Sequence, residues 1–162
     1  MHSPARRHLI AAFLAFAALG LVGPAIAQIE SLQTYDKAPL EIRTASGTHR
    51  FTVELARTAA QQMQGLMFRR KLDANAGMLF IYQQPETARY WMKNTYIPLD
   101  MLFIASDGTV VRIAADAVPQ SLAIISSGGP VRAVLEIKGG EAARQGITPG
   151  AKVVYPLFSP NH

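Results

Sequence analysis

The sequence predicts a mainly β fold, a compact antiparallel barrel or rolled sheet of about seven short strands with two short helices. Three features point there. Apolar and polar residues alternate over strand-length runs, clusters of Gly, Pro, Asn and Asp separate these runs, and helical spacing of apolar residues occurs in only two brief segments. Cysteine is absent from the 162 residues, which excludes disulfides, thiolate nucleophiles and Cys-ligated zinc or iron–sulfur clusters.

The first segment reads as a leader. Arg6, Arg7 and His8 precede an uninterrupted apolar or small run over residues 9–22, and Ala25-Ile26-Ala27 offers small residues at both positions that a signal peptidase reads. A secretory signal peptide cleaved after Ala27 is expected, with a retained membrane anchor as the alternative. The run is short of the ~20 residues of a spanning helix and is broken at Gly23-Pro24. Cleavage leaves a 135-residue chain expected in a bacterial periplasm or outside the cell, with no stable membrane insertion. Loss of Arg6 and Arg7 leaves 14 basic against 11 acidic residues, scattered along the chain, so no nucleic-acid partner is expected.

Residues 28–39 carry no sustained period and read as a flexible lead-in to a single domain over residues 40–158. Segments 40–43 and 49–55 form a hairpin about Ser46-Gly47, because Phe51, Val53 and Leu55 alternate with Thr52 and Glu54. Thr58 and Gln61 make a capping box for a helix over 59–68, with Ala59, Met63, Leu66 and Met67 on one face and Gly65 inside it. A strand over 78–82, a loop at Gln83-Gln84-Pro85 and a second strand over 87–95 follow. Segments 99–105 and 109–114 then flank Asp107-Gly108, a two-residue type I′ turn. Pro119, Gly128, Gly129 and Pro130 make 118–130 a loop with some extended backbone. A strand over 131–137, a turn at Gly139-Gly140, a helix over 141–145 stopped by Gly146, and a last strand over 152–157 complete the domain.

Chemistry concentrates near residue 100. A two-residue turn pairs Ile104 with Val111, Leu102 with Ile113 and Asp100 with Ala115, so Asp100 shares a face with aliphatic core residues. A carboxylate there either accepts backbone N–H groups as a structural acid or stands at the mouth of a barrel as part of a site. Upstream, alternation along a strand puts Trp91, Lys93 and Thr95 on one side and Tyr90, Met92 and Asn94 on the other. Lys93, Asn94, Thr95 and Asp100 then gather a cation, an amide, a hydroxyl and a carboxylate beside an aromatic stacking face, a set suited to a polar ligand. An internal Lys93–Asp100 ion pair is the plainer alternative.

Five methionines, Met63, Met67, Met78, Met92 and Met101, fall within one stretch of chain. Thioethers suit Cu(I), yet each occupies an apolar position where Met fills gaps, and beyond the leader only His49 and His162 remain. No metal and no cofactor are expected. Glu136 falls with Arg132, Val134 and Lys138 on the side opposite the apolar row, a face expected to be solvated. Brought near Asp100, it would supply a second carboxylate for glycoside hydrolysis. There is no nucleophile elbow and no phosphate-cradling Gly-rich loop.

The blocks Gly65-Leu66-Met67-Phe68-Arg69, Gly77-Met78-Leu79-Phe80, Trp91-Met92-Lys93-Asn94-Thr95 with Ile97-Pro98-Leu99-Asp100, and Val134-Leu135-Glu136-Ile137 with Gly140 resemble the family called domain of unknown function 192. The resemblance spans residues 40–157 and implies a compact, mainly β domain of bacteria and archaea, often exported, with no assigned activity. Its motif falls on Trp91, Lys93, Asn94, Thr95, Pro98 and Asp100. Gly150-Ala151 departs from the Gly-Asp expected before the last strand.

The function expected from these residues is a non-catalytic binding module for a sugar or peptide, anchored by Trp91, Lys93, Asn94, Thr95 and Asp100, with Tyr90, Glu136 and Arg69 as further candidates. The alternatives are a periplasmic hydrolase or lyase, with Asp100 as base or nucleophile and Lys93 stabilising negative charge, and a structural envelope protein. The expected partner is a small polar ligand or an envelope component.

Overall fold

Seven strands form one curled sheet in the order β5-β4-β6-β3-β2-β1-β7, in a computed structural model that describes residues 32–159. The leader expected over residues 1–27 lies outside the described residues. No helix among the described residues is long and apolar enough to cross a membrane.

β1 (Lys37–Thr44) and β2 (Gly47–Ala56) make the expected hairpin, in register from Thr44 opposite Gly47 to Lys37 opposite Glu54. β1 therefore begins inside the stretch read as lead-in. Thr58 and Gln61 close the capping box of α1 (Ala59–Gln64), which ends earlier than its apolar spacing suggests. Gly65 ends it in a left-handed conformation, where a Cβ would stand 3.0 Å from the Phe80 ring. Met63, expected on the buried face, is 75% exposed.

α1 carries the chain back across the sheet, so β3 (Ala76–Tyr90) runs parallel to β2. That pair makes the sheet mixed rather than wholly antiparallel; the other neighbouring strands are antiparallel. β3 also runs straight through Gln83-Gln84-Pro85, because a register shift against β6 between Ile81 and Glu86 absorbs the proline that was read as a loop. β6 (Ile125–Lys138) likewise extends into the Gly- and Pro-rich stretch expected to be a loop.

β4 (Leu99–Ile104) and β5 (Val110–Ala117) pair as expected at Leu102–Ile113, but the turn between them is not type I′. Gly108 alone has a left-handed φ of 81°, and Ala105 both accepts from the Gly108 N–H and donates to the Thr109 carbonyl. This is a three-residue loop with a glycine bulge. The bulge shifts the register at one end, so Ile104 faces Val110, and a second irregularity puts Leu99 opposite Ala117. β6 leads to α2 (Glu141–Arg144), and β7 (Lys152–Val154) is cut short at Pro156, where a 3-10 turn replaces the expected strand end.

The sheet is a strongly curled half-barrel whose edges meet at one corner. There Val110 N–H donates to the Ala151 carbonyl at 2.9 Å and Val153 N–H to the Gly108 carbonyl at 2.8 Å. Curling divides the apolar residues between two faces. Leu40, Ile42, Val53, Leu79, Leu102 and Leu135 fill the concave side, while Met78, Phe80, Met92, Met101, Phe103 and Val134 pack on the convex side. β4 is buried along its whole length because both faces are covered.

Close approach of β3 and β6 requires Gly77, where a Cβ would lie 2.6 Å from the Glu136 backbone oxygen. Gly77→Ala is therefore expected to destabilise by ~1–3 kcal/mol in a urea melt. Gly129, with nothing within 4 Å of an added Cβ, should accept Ala within ~0.5 kcal/mol.

Candidate functional site

Asp100 lies on the concave side of β4, as pairing predicts, but it is not at an open mouth. It is fully buried, and its carboxylate accepts the N–H groups of Asp116 at 2.8 Å, Gly140 at 3.1 Å and Ala142 at 2.8 Å. Gly140 and Ala142 belong to the start of α2, whose first N–H groups lack partners within the helix. One carboxylate thus ties β4 to the end of β5 and to α2. It forms no contact with Lys93, so neither the solvated ligand anchor nor the internal ion pair is what the geometry presents.

The chain leaves the sheet after Tyr90. Residues 91–98 form a loop rather than the continuation of a strand, and Asn94 turns it with a left-handed φ of 56°. Backbone bonds fix it to two other loops: Asn94 accepts from the Phe68 N–H at 2.8 Å, Thr95 from the Gln120 N–H at 3.1 Å, and Ser121 from the Met92 N–H at 2.9 Å. All four left-handed residues other than glycine among the described residues, Phe68, Asn94, Asp116 and Gln120, lie in these loops or at the Asp100 contact. Such backbone conformations persist only where surrounding structure imposes them and concentrate at functional sites.

Side chains divide sharply in this loop. Met92 and Thr95 are buried, and the Thr95 hydroxyl donates to the Lys93 carbonyl. Trp91 is 44% exposed, with the Lys93 ammonium 5.1 Å from its ring centre. Beside them Phe68, Tyr96, Val118 and Leu122 are also exposed, and Arg70 lies over the Tyr96 ring. Alternation had grouped Trp91 with Lys93 correctly but hid the other members, which come from loops distant in sequence.

Under this loop, Glu54, Met78, Glu136, Met101 and Ala114 stand opposite one another across β2, β3, β6, β4 and β5 on the convex face. Glu136 is therefore not on a solvated face; it is 4% exposed. Burial alone pushes its carboxyl up to about 8, and it forms no hydrogen bond or ion pair with any described residue. Glu54, by contrast, receives both terminal nitrogens of Arg69, whose guanidinium also lies over Tyr35. That pairing fastens the loop after α1 to β2 and leaves Arg69 engaged internally. Tyr90 packs edge-on against Phe80 and shares a 2.8 Å hydrogen bond with Tyr82; burial raises both phenols, that of Tyr82 to about 12.

Elsewhere a polar depression of about 390 Å³ is lined by Thr48, His49, Arg50, Asn75, Arg144 and Gln145. It shares no residue with the loop face. Among the described residues no group of three His, Cys, Asp or Glu side chains is arranged to hold a metal ion.

The profile of one protein family, DUF192, described as "Uncharacterized ACR, COG1430", matches residues 41–155. Similar crystal structures include the following two. A protein from Sinorhizobium meliloti 1021, named as a candidate transcription regulator, is 49% identical with a TM-score of 0.74 over 76% of this chain and 96% of its own. A protein of unknown function from Novosphingobium aromaticivorans DSM 12444 is 44% identical with a TM-score of 0.72 over 88% of this chain and 100% of its own. No curated protein matches the chain.

Proposed function

The chain belongs to the DUF192 family, and from that premise we propose that it is a non-catalytic binding module whose loop face takes a polypeptide segment carrying acidic side chains. One observation supports this most: six of the ten large apolar side chains that are exposed among the described residues, Phe68, Trp91, Tyr96, Val118, Leu122 and Ile124, come from three loops, two of them hydrogen-bonded to the third. An apolar patch of this kind, rimmed by polar groups, marks an interaction surface. Trp, Tyr and Arg are also the residues that dominate binding energy in protein interfaces.

The two cations favour a peptide over a sugar. Lys93 and Arg70 already cover the Trp91 and Tyr96 rings, so a sugar would have to displace them to stack, whereas a carboxylate can pair with them in place. The same stacking holds the cations apart from any continuous basic stripe, which argues for protein rather than DNA as the partner of this member of the family. Catalysis by Asp100 finds no support, because its oxygens are enclosed and bonded. Asn94 and Thr95 instead belong to the scaffold that presents Trp91 and Lys93, and Asp100 ties β4 to β5 and α2. With the leader reading, the partner is a component of the bacterial envelope.

A displayed peptide library selected on the protein is expected to enrich segments that mix acidic and apolar residues. Trp91→Ala and Lys93→Glu should each weaken the selected peptides at least ~10-fold, while the thermal midpoint moves by no more than ~2 °C because both side chains are exposed. Failure to enrich any peptide, or peptides indifferent to both changes, would overturn the reading.

A further inference from the structure

Glu136 is a largely buried acid, 4% exposed, that makes no hydrogen bond or ion pair with any described residue, whereas the other buried carboxylates of the described residues are satisfied. Asp100 accepts three N–H groups, and Glu141 is held by Arg144 and Gln145. The neighbours of Glu136 explain what such a group could hold. Directly opposite it on β3 is Met78 and on β4 is Met101, both fully buried. Residues opposite one another in adjacent strands carry their Cβ atoms only ~4.5–5.5 Å apart on the same face, so a thioether stands within reach on either side of the carboxyl. Met92, also fully buried, belongs to the same cluster and comes from the loop that covers this face.

We propose that Glu136, Met78 and Met101, with Met92 as a further thioether, form a binding site for a soft monovalent cation, Cu(I). Charge and softness select the ion together. One carboxylate neutralises one positive charge, so a monovalent cation gives a neutral site, whereas a divalent ion would leave a net charge in an apolar interior. Neutral sulfur donors suit Cu(I) and are poor ligands for Mg²⁺, Ca²⁺ or Mn²⁺. Zinc would need His, Cys or further carboxylates, and none is grouped here among the described residues. The nearest other carboxylate in the row, Glu54, is already occupied by Arg69. Gap filling accounts for methionine at these positions taken singly, but not for an unpartnered acid set between two of them. This site lies beneath the peptide-binding face and does not depend on it.

The test is an anaerobic titration of the full chain with Cu(I) against a colorimetric chelator, with Ag(I) as the redox-inert probe for NMR of the methionine methyl groups. One equivalent is expected to bind. Ag(I) should shift the methyl signals of Met78 and Met101, and leave that of exposed Met63 unchanged. Met101→Leu, which conserves volume, and Glu136→Gln should each loosen Cu(I) at least ~10-fold. No competition with the chelator, shifts confined to Met63 and Met67, or binding that survives both substitutions would overturn the proposal. The methyl spectrum of the unaltered chain decides the matter even if a variant fails to fold.

Discussion

Glu136→Gln is expected to leave stability nearly unchanged at pH 4 and to raise it by about 3–5 kcal/mol above pH 8 in metal-free protein. Burial keeps the folded carboxyl protonated to about pH 8, while an unfolded chain releases that proton near 4.5. Between these values unfolding releases a proton, so the wild-type chain should lose ~1.4 kcal/mol of stability per pH unit from this group. The loss is complete once pH has passed the folded value. Glutamine has the shape of the acid and no charge to desolvate, so the variant lacks this decline. Urea melts of both proteins at pH 4, 6 and 9 measure it, and identical curves at pH 9 would contradict the burial of an unpaired acid.

Asp100→Asn should have the opposite sign and comparable size, a loss of ~2–4 kcal/mol. Three N–H groups converge on the carboxylate of Asp100. An amide can accept with only one atom and turns an NH₂ toward the donors that remain, with no water to compensate. Lys93→Met, on an exposed residue outside this network, should change stability by less than ~0.5 kcal/mol, and the double variant should be additive within the same margin. Measured coupling well above that margin would mean that Lys93 and Asp100 interact after all.

The central strands are legible because two-residue alternation is short-ranged. Leu102 opposite Ile113, the Thr58–Gln61 cap and the side of β4 that Asp100 occupies all follow from local spacing. Errors arose where distant contacts decide the outcome. Pro85 does not break β3, since the shift against β6 removes any need for its missing N–H. The strand read through Trp91 to Thr95 ends at Tyr90, because Asn94 adopts a left-handed turn held by the Phe68 N–H, and no periodicity within the segment encodes that partner. The parallel pairing of β2 and β3 has a visible cue, the helix expected over 59–68 between two strands, but the helix by itself does not fix which strand β3 joins. Alternation places Glu136 on the correct side of its strand but does not reveal its burial, which comes from loops that cover a second face of the sheet, because a single strand does not show how many faces are covered.

Amide chemical-shift mapping with a selected acidic peptide tests the binding face most directly. The account predicts perturbations confined to residues around Phe68, Arg70, Trp91, Lys93, Tyr96 and Gln120, with the Trp91 indole N–H among the largest. Perturbations centred on His49, Arg50, Arg144 and Gln145, with the loop face unmoved, would contradict it.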